Sequence, residues 1–186
     1  MALTKQQILQ YLETHKIAYQ LYQHAPLMTV QQGLSVISEL GIPGAIIKNL
    51  FLKDDHKNLY LVSATSDTRI DLKTLGKALN IKNIRFADAI LLSNHLGVQP
   101  GSVTPLALIN DTNSTVQMIV DANVLRQQYI QIHPLQNDAT IVITPTDLVN
   151  FLKLINRPYR IYDFEQNEEQ FYLKILKILI ATSVLV

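Results

Sequence analysis

The sequence predicts an α+β domain: a mixed, mostly antiparallel sheet or partly closed barrel surrounded by helices. Runs that alternate with period two are interspersed with stretches of helical period. Short polar turns join neighbouring strand-like runs into hairpins, and such linkers are too short for the crossovers that parallel strands need. The 186 residues, 48% hydrophobic and 17% charged, are enough for one buried core and carry no signature of disorder. No internal repeat is present.

Thr4 and Gln7 have the spacing of a capping box, and Ile8, Leu9 and Leu12 form the apolar stripe of a helix ending near His15. Ile17, Tyr19 and Leu21 alternate like a short strand. Thr29 and Gln32 repeat the box ahead of a stripe of Leu34, Ile37 and Leu40, with Gly41 as the stop. Residues 45–53 and 59–65 are apolar runs joined by "DDHKN", a turn composition, and predict a β-hairpin. Asp71 caps a helix bearing Leu72, Leu75 and Leu79, with Lys73 and Lys77 on its outer side. A short strand "NIRF" and an apolar helix over 87–96 follow. "GVQPGSVTP" is too rich in Gly and Pro for either element. "LALI" and "TVQMIVD" flank "NDTNS" and predict a second hairpin, and "TIVIT" a further strand. Thr144, Pro145 and Asp147 then start a helix in the order cap, first-turn proline and acidic third position. The domain is expected to span 1–165. Residues 166–186 form an apolar tail, "FYLKILKILIATSVLV" at its end, which is short for a membrane span and predicts a terminal helix packed on the domain or a partner.

Net charge is +1, but it is unevenly distributed. Residues 48–85 hold eight Lys or Arg against four Asp, whereas 86–147 hold one Arg against five Asp. The asymmetry points to a basic face suited to a phosphate-rich partner. The absence of cysteine excludes disulfides, thiolate metal sites and a cysteine nucleophile, and fits a cytoplasmic protein. The first residues read as an amphipathic helix rather than a signal peptide.

Three places could carry chemistry. In "AIIKNLFLKD", alternation puts Lys48 on one face with Ile46, Leu50 and Leu52. An ammonium there either snorkels to the rim or lines a cavity, where it can hold a phosphate, a carboxylate or a carbonyl oxygen. The strand alone admits both. "GSVTP" (Gly101, Ser102, Val103, Thr104, Pro105) is either a connecting turn or a backbone N–H cradle, and lacks the ending of a phosphate-binding P-loop. His133, ahead of Pro134, sits at a strand end and is able to relay protons near neutral pH. No HExxH or comparable spacing exists, so neither metal nor cofactor is expected, and no Ser lies in a nucleophile elbow.

The segments "KNLFLKD", "GVQPGSVTPLALIND" and "HPLQNDATIVITPTDLVNFL" occur in that order. Together they resemble the YbaK/ProX family of aminoacyl-tRNA deacylases, in particular the branch related to the prolyl-tRNA synthetase editing domain, over residues 3–165. The resemblance implies a cytoplasmic trans-editing enzyme of mixed α/β fold, needing no metal, no cofactor and no covalent intermediate. It would hydrolyse the ester of mischarged proline tRNA, with alanine or cysteine as the wrong amino acid. The family lysine matches Lys48, followed by Asn49, its substrate loop matches residues 101–105, and the histidine of the alanine-clearing branch matches His133. By that likeness Lys48 and His133 are catalytic. Asn49, Gly101, Ser102, Val103, Thr104, Pro105 and Ile132 bind substrate, with Ile132 bounding a small side-chain pocket. Lys73, Lys77, Lys82 and Arg85 are candidates for tRNA backbone contacts. Prolyl-tRNA synthetase or an elongation factor are candidate partners, with no obligate membrane. The rival readings are a Cys-specific deacylase, a tRNA-binding module without turnover, and an enzyme using Lys48 to form an imine.

Overall fold

Side-chain caps set where the helices begin. In the computed structural model, which describes residues 2–27 and 30–170, Thr4 and Gln7 form both halves of the box ahead of α1 (Lys5–Thr14). α2 (Val30–Leu40) ends at Gly41, whose φ of 60° suits a residue without Cβ. Its expected cap, Thr29, lies outside the described residues. Asp71 accepts from the Thr74 N–H at 2.6 Å to start α3 (Leu72–Ala78). Asp88 does the same for α4 (Ala89–Leu96), and Thr144 with Pro145 for α6 (Pro145–Leu154). A short α5 (Ala122–Leu125) has no counterpart in the sequence-based expectation.

Among the described residues nine strands form one sheet: β1 (Gln20–Gln23), β2 (Ala45–Lys53), β3 (Leu59–Thr65), β4 (Arg85–Phe86), β5 (Val116–Asp121), β6 (Ile130–Ile132), β7 (Ala139–Ile143), β8 (Tyr159–Asp163) and β9 (Glu168–Gln170). Their order is β1-β7-β6-β2-β3-β5-β8-β9, with β4 added on β2, and the sheet stays open between β1 and β9. The predicted β2–β3 hairpin forms, pairing Ile47 with Thr65 through Lys53 with Leu59. Five of the eight pairings are antiparallel, while β2–β6, β3–β5 and β5–β8 are parallel. At the start, β1 begins only at Gln20, so Ile17 and Tyr19 precede it.

The second predicted hairpin does not exist. "LALI" belongs to a 3-10 segment, Pro105–Asn110, begun by Thr104 and Pro105. Leu106, Ala107 and Leu108 are all fully buried, and a continuous apolar run carries no period that separates strand from helix. Asp111 then turns the chain by accepting from Thr115 and Val116. β5 finds parallel neighbours, β3 and β8, instead of a hairpin partner. Toward the end of the chain, β9 pairs with β8. The helix expected in the tail, beyond residue 170, lies outside the described residues.

Alternation along the strands sorts side chains into two cores. Ile47, Phe51, Leu61, Met118, Ile132 and Ile141 meet α1, α4, the 3-10 segment and α6 on one face. On the other, Leu52, Val62, Ala64 and Ile119 pack against Leu75 and Leu79 of α3. Burial of such side chains stabilises by roughly 1.5–3 kcal/mol each. The parity of Lys48 is that of Leu50 and Leu52, so its side chain leaves β2 on the α3 face. There it lines a cavity together with Leu34 and Ile37 of α2.

Candidate active site

The site opens where β2 loses its neighbour. β2 pairs with β6 only at Ala45–Ile130 and Ile46–Gln131, and with β4 only from Leu52 onward. Gly44 permits the close approach at the first of these. Its φ is +93°, and a Cβ there would stand 2.7 Å from the Tyr129 carbonyl oxygen. Beyond Ile46 the strands part, and a cavity of about 650 Å³ fills the gap beneath α2. Side chains of both strand parities reach it for that reason. Leu27, Leu34, Ile37, Ile46 and Ile132 give it apolar walls, and Lys48, Asn49, Ser66, Gln131, His133 and Thr140 bring polar groups.

Lys48 is half-buried, and its ammonium donates to the backbone carbonyls of Ser66, at 3.1 Å, and Thr68. No carboxylate among the described residues lies within ion-pair distance of it. Two neutral dipoles hold the amine at the cavity wall, and the exposed Asp67 carboxylate feels its charge without forming an ion pair with it. Asn49, its neighbour on the opposite parity, is clasped. Its Oδ1 accepts from Ser63 Oγ at 2.5 Å, and its Nδ2 donates to the Val103 carbonyl at 2.9 Å. Asn49 therefore ties the 101–105 loop to β2 as well as lining the cavity.

Within that loop only Gly101 and Val103 line the cavity. Gly101 has φ +87°, the left-handed region that an L side chain avoids. The Ser102 N–H donates to the Gln99 carbonyl at 3.0 Å and is consumed by the turn. Thr104 is fully buried and, with Pro105, starts the 3-10 segment. Three of the five loop residues thus build the turn, and two present it.

His133 follows β6. Its Nδ1–H donates to the Ala139 carbonyl at 2.9 Å, which leaves Nε2 as the acceptor. Burial lowers the imidazole pKa below its ordinary value, only partly opposed by that hydrogen bond. The ring of His24 lies 6.4 Å away, edge to face. His24 Nδ1 donates to the Ala25 carbonyl, and its Nε2 meets Thr140 Oγ1 at 3.0 Å. Among the described residues no group of three or more His, Asp or Glu is arranged to hold a metal.

The structure therefore brings together Lys48, Asn49, Gly101, Val103, Ile132 and His133 from three separated motifs. It adds Gln131, Ser66 and Thr140, which carried no sequence signal beyond a polar residue inside the apolar run "IQI". Gln131 is buried and donates to the carbonyls of Ile42 and Gly44, closing the turn between α2 and β2. Lys73, Lys77 and Lys82 are exposed, and Arg85 is paired with Asp55 at 2.6 Å.

Fold and cavity together define an α+β domain that offers a ligand an ammonium in no ion pair, an imidazole lone pair and a glycine turn. The family model of the aminoacyl-tRNA editing domain matches residues 24–151, and the chain belongs to that family. The chain is 40% identical over 154 residues to the prolyl-tRNA synthetase associated domain-containing protein 1 of Xenopus laevis, covering 80% of this chain and 90% of that protein. It is 33% identical over 152 residues to the prolyl-tRNA editing protein ProX of Acetoanaerobium sticklandii, with 80% and 90% covered. A solved structure described as a candidate trans-editing enzyme for prolyl-tRNA synthetase shares the fold, with a TM-score of 0.63 at 18% identity over 88% of this chain and 98% of that one.

Proposed function

We propose that this chain is a trans-editing hydrolase that clears mischarged proline tRNA, with alanine as the amino acid removed. The observation that carries the reading is the convergence of Lys48, the Gly101 turn and His133 on one cavity. An aminoacyl ester is already activated, so its hydrolysis needs a positioned water and stabilisation of the developing oxyanion. In this reading Lys48 holds the terminal adenosine's phosphate or polarises the ester carbonyl, and the Gly101 amide is the backbone donor of the loop. The amide of Ser102 is withdrawn from that role, because it is spent within the turn. The adenosine 2′-hydroxyl helps activate the water, and His133, as a neutral acceptor, orients the substrate.

Ile132, buried at the cavity wall with Leu34, Ile37 and Ile46 near it, supplies an apolar surface suited to a methyl side chain. Such a pocket rejects proline by bulk, the logic of a second sieve. Lys73, Lys77 and Lys82 belong to the side of the sheet that Lys48 faces and serve as tRNA phosphate contacts with salt-dependent affinity. Arg85 would first have to leave Asp55. The enzyme works in the cytoplasm on tRNA, beside prolyl-tRNA synthetase or an elongation factor. Among the described residues no helix is long and apolar enough to cross a membrane.

Incubation with Ala-, Cys- and Pro-charged proline tRNA tests the reading by release of the amino acid. Alanine should be released fastest and proline least. Faster release of cysteine would move the assignment to a Cys-specific deacylase. Tight binding without release from any of the three would leave a tRNA-binding module.

A further inference from the structure

The cation of the cavity is aimed by a device that lies outside all three motifs. The carbonyls of Ser66 and Thr68 that accept from Lys48 belong to the loop after β3. Ser66 and Asp67 are exposed, so the loop has little packing of its own. Its backbone is tied by Ser66 N–H to the Ile46 carbonyl at 2.8 Å and Thr68 N–H to the Thr65 carbonyl at 3.1 Å. The remaining ties run through side chains, the Asp67 carboxylate accepting from Thr65 among them. Thr68 Oγ1 donates to Asp121 Oδ2 at 2.7 Å, Thr65 and Thr68 hydroxyls are 2.8 Å apart, and Asn123 Nδ2 donates to Thr65 Oγ1 at 3.2 Å.

Each hydroxyl has one proton. With the Thr68 proton committed to Asp121, the Thr65 hydroxyl accepts from Asn123 and shares its own proton between Thr68 Oγ1 and the Asp67 carboxylate. Asp121 ends β5, is 1% exposed and spends its other oxygen on the Asn123 N–H at 3.1 Å. No ion pair among the described residues includes it. A buried carboxylate balanced only by hydrogen bonds holds its donors firmly, because losing one leaves a charged acceptor unsatisfied.

We infer that Thr68, anchored on Asp121, is a positioning residue: its hydroxyl fixes the loop carbonyls that aim the Lys48 ammonium into the cavity. The inference rests on the deacylase reading, in which Lys48 meets the substrate. It adds a residue pair that acts through Lys48 and touches no reacting atom.

Two variants separate the hydroxyl from the bulk of the side chain. Thr68→Val keeps the shape and removes the hydroxyl, whereas Thr68→Ser keeps the hydroxyl. Deacylation of alanyl-charged proline tRNA should lose about 10- to 100-fold in kcat in Thr68→Val, the range that a displacement near 1 Å produces. KM should stay within about twofold, and Thr68→Ser should retain wild-type kcat. In a Lys48→Ala background Thr68→Val should cost less than about twofold further, since its effect passes through the amine. Equal losses in both backgrounds, or a Thr68→Ser variant as impaired as Thr68→Val, would overturn the assignment. A readout independent of turnover is competitive acetylation of the lysines, followed by mass spectrometry. Lys48 should react several-fold faster in Thr68→Val than in wild type or Thr68→Ser, and equal reactivity in all three would overturn the inference. Lack of release by the wild-type protein from any charged tRNA would sink the deacylase reading alone, leaving Thr68 to be judged by acetylation.

Discussion

Arg157 and Lys48 both carry positive charge into the folded interior, and their partners differ in kind. Arg157 is 6% exposed and pairs with Asp111 at 3.1 Å. Its Nη2 also donates to the carbonyls of Leu108 at 3.2 Å and Asp111 at 2.5 Å. It locks the chain after α6 to the end of the 3-10 segment, and a carboxylate compensates its charge where it stands. Lys48 is held by two carbonyls, with the exposed Asp67 carboxylate near enough to feel its charge but not paired with it. A cation paired with an anion is committed to the fold. One held by dipoles, with only an exposed carboxylate nearby, keeps much of its field for an incoming negative group. The two arrangements separate a charge committed to the fold from one left open to a ligand.

The contrast predicts opposite outcomes for the same kind of truncation, and the larger effect belongs to the arginine. Arg157→Ala strands the Asp111 carboxylate in the interior and should destabilise by about 3–5 kcal/mol, the usual cost of breaking a buried pair. In a chain of this size that lowers the thermal midpoint by roughly 10 °C, at about 2–4 °C per kcal/mol. Differential scanning calorimetry checks it, and the folded fraction should turn over at the wild-type rate. A shift under 2 °C would show that the pair contributes little and would remove one side of the comparison.

Lys48→Ala should do the reverse. Loss of one preorganised charge-stabilising donor lowers kcat by about 10²–10³, while the thermal midpoint stays within about 2 °C of wild type. If this variant melted as early as Arg157→Ala, the lysine would be a structural cation and the site would lose its centre. Wild-type turnover in a well-folded Lys48→Ala protein would be equally damaging.

How the two regions read from sequence follows from the same physics. The helix starts were legible because caps are local: Thr4 with Gln7, Asp71, and Thr144 with Pro145 act within one turn of the residues they serve. The β2–β3 hairpin was legible because its turn is local too. "LALI" was misread because continuous apolarity is shared by buried helix and buried strand. β6 and β8 were not foreseen, since each is short and is fixed on one side by a strand far along the chain, β2 for β6 and β5 for β8. At the site, Lys48 stood out as a charge at an inward-facing position of an apolar strand. Thr68 and Asp121 did not, because a Thr in a polar loop and an Asp before a short helix are ordinary until the fold sets them 2.7 Å apart. The resemblance to an editing family supplied what spacing could not, namely that residues 48, 101 and 133 belong to one cavity.

The smallest effect sharpens the comparison through a third, half-buried group, His133, whose neutral form the fold favours. Burial holds the His133 pKa below its ordinary value near 6.5, so the folded state favours the neutral ring. Between the folded-state pKa and about 6.5 the unfolded chain binds more protons than the native one. Stability therefore rises with pH through that window and is lost as pH falls through it. Denaturant midpoints of the wild type and His133→Asn should thus differ by a constant amount above pH 7. On acidification the wild type should lose ground, because only it must protonate a buried ring or leave it neutral at a cost. The ratio of wild-type to His133→Asn deacylation rates should respond later than stability does, staying flat from pH 8 to below 6.5 and falling only where the folded-state ring itself takes a proton on Nε2. Dividing by the variant removes the hydroxide dependence common to all ester hydrolysis. A ratio that rose on acidification would mean that His133 acts as a cation, and the cavity would then hold two positive groups instead of a charge and a neutral acceptor.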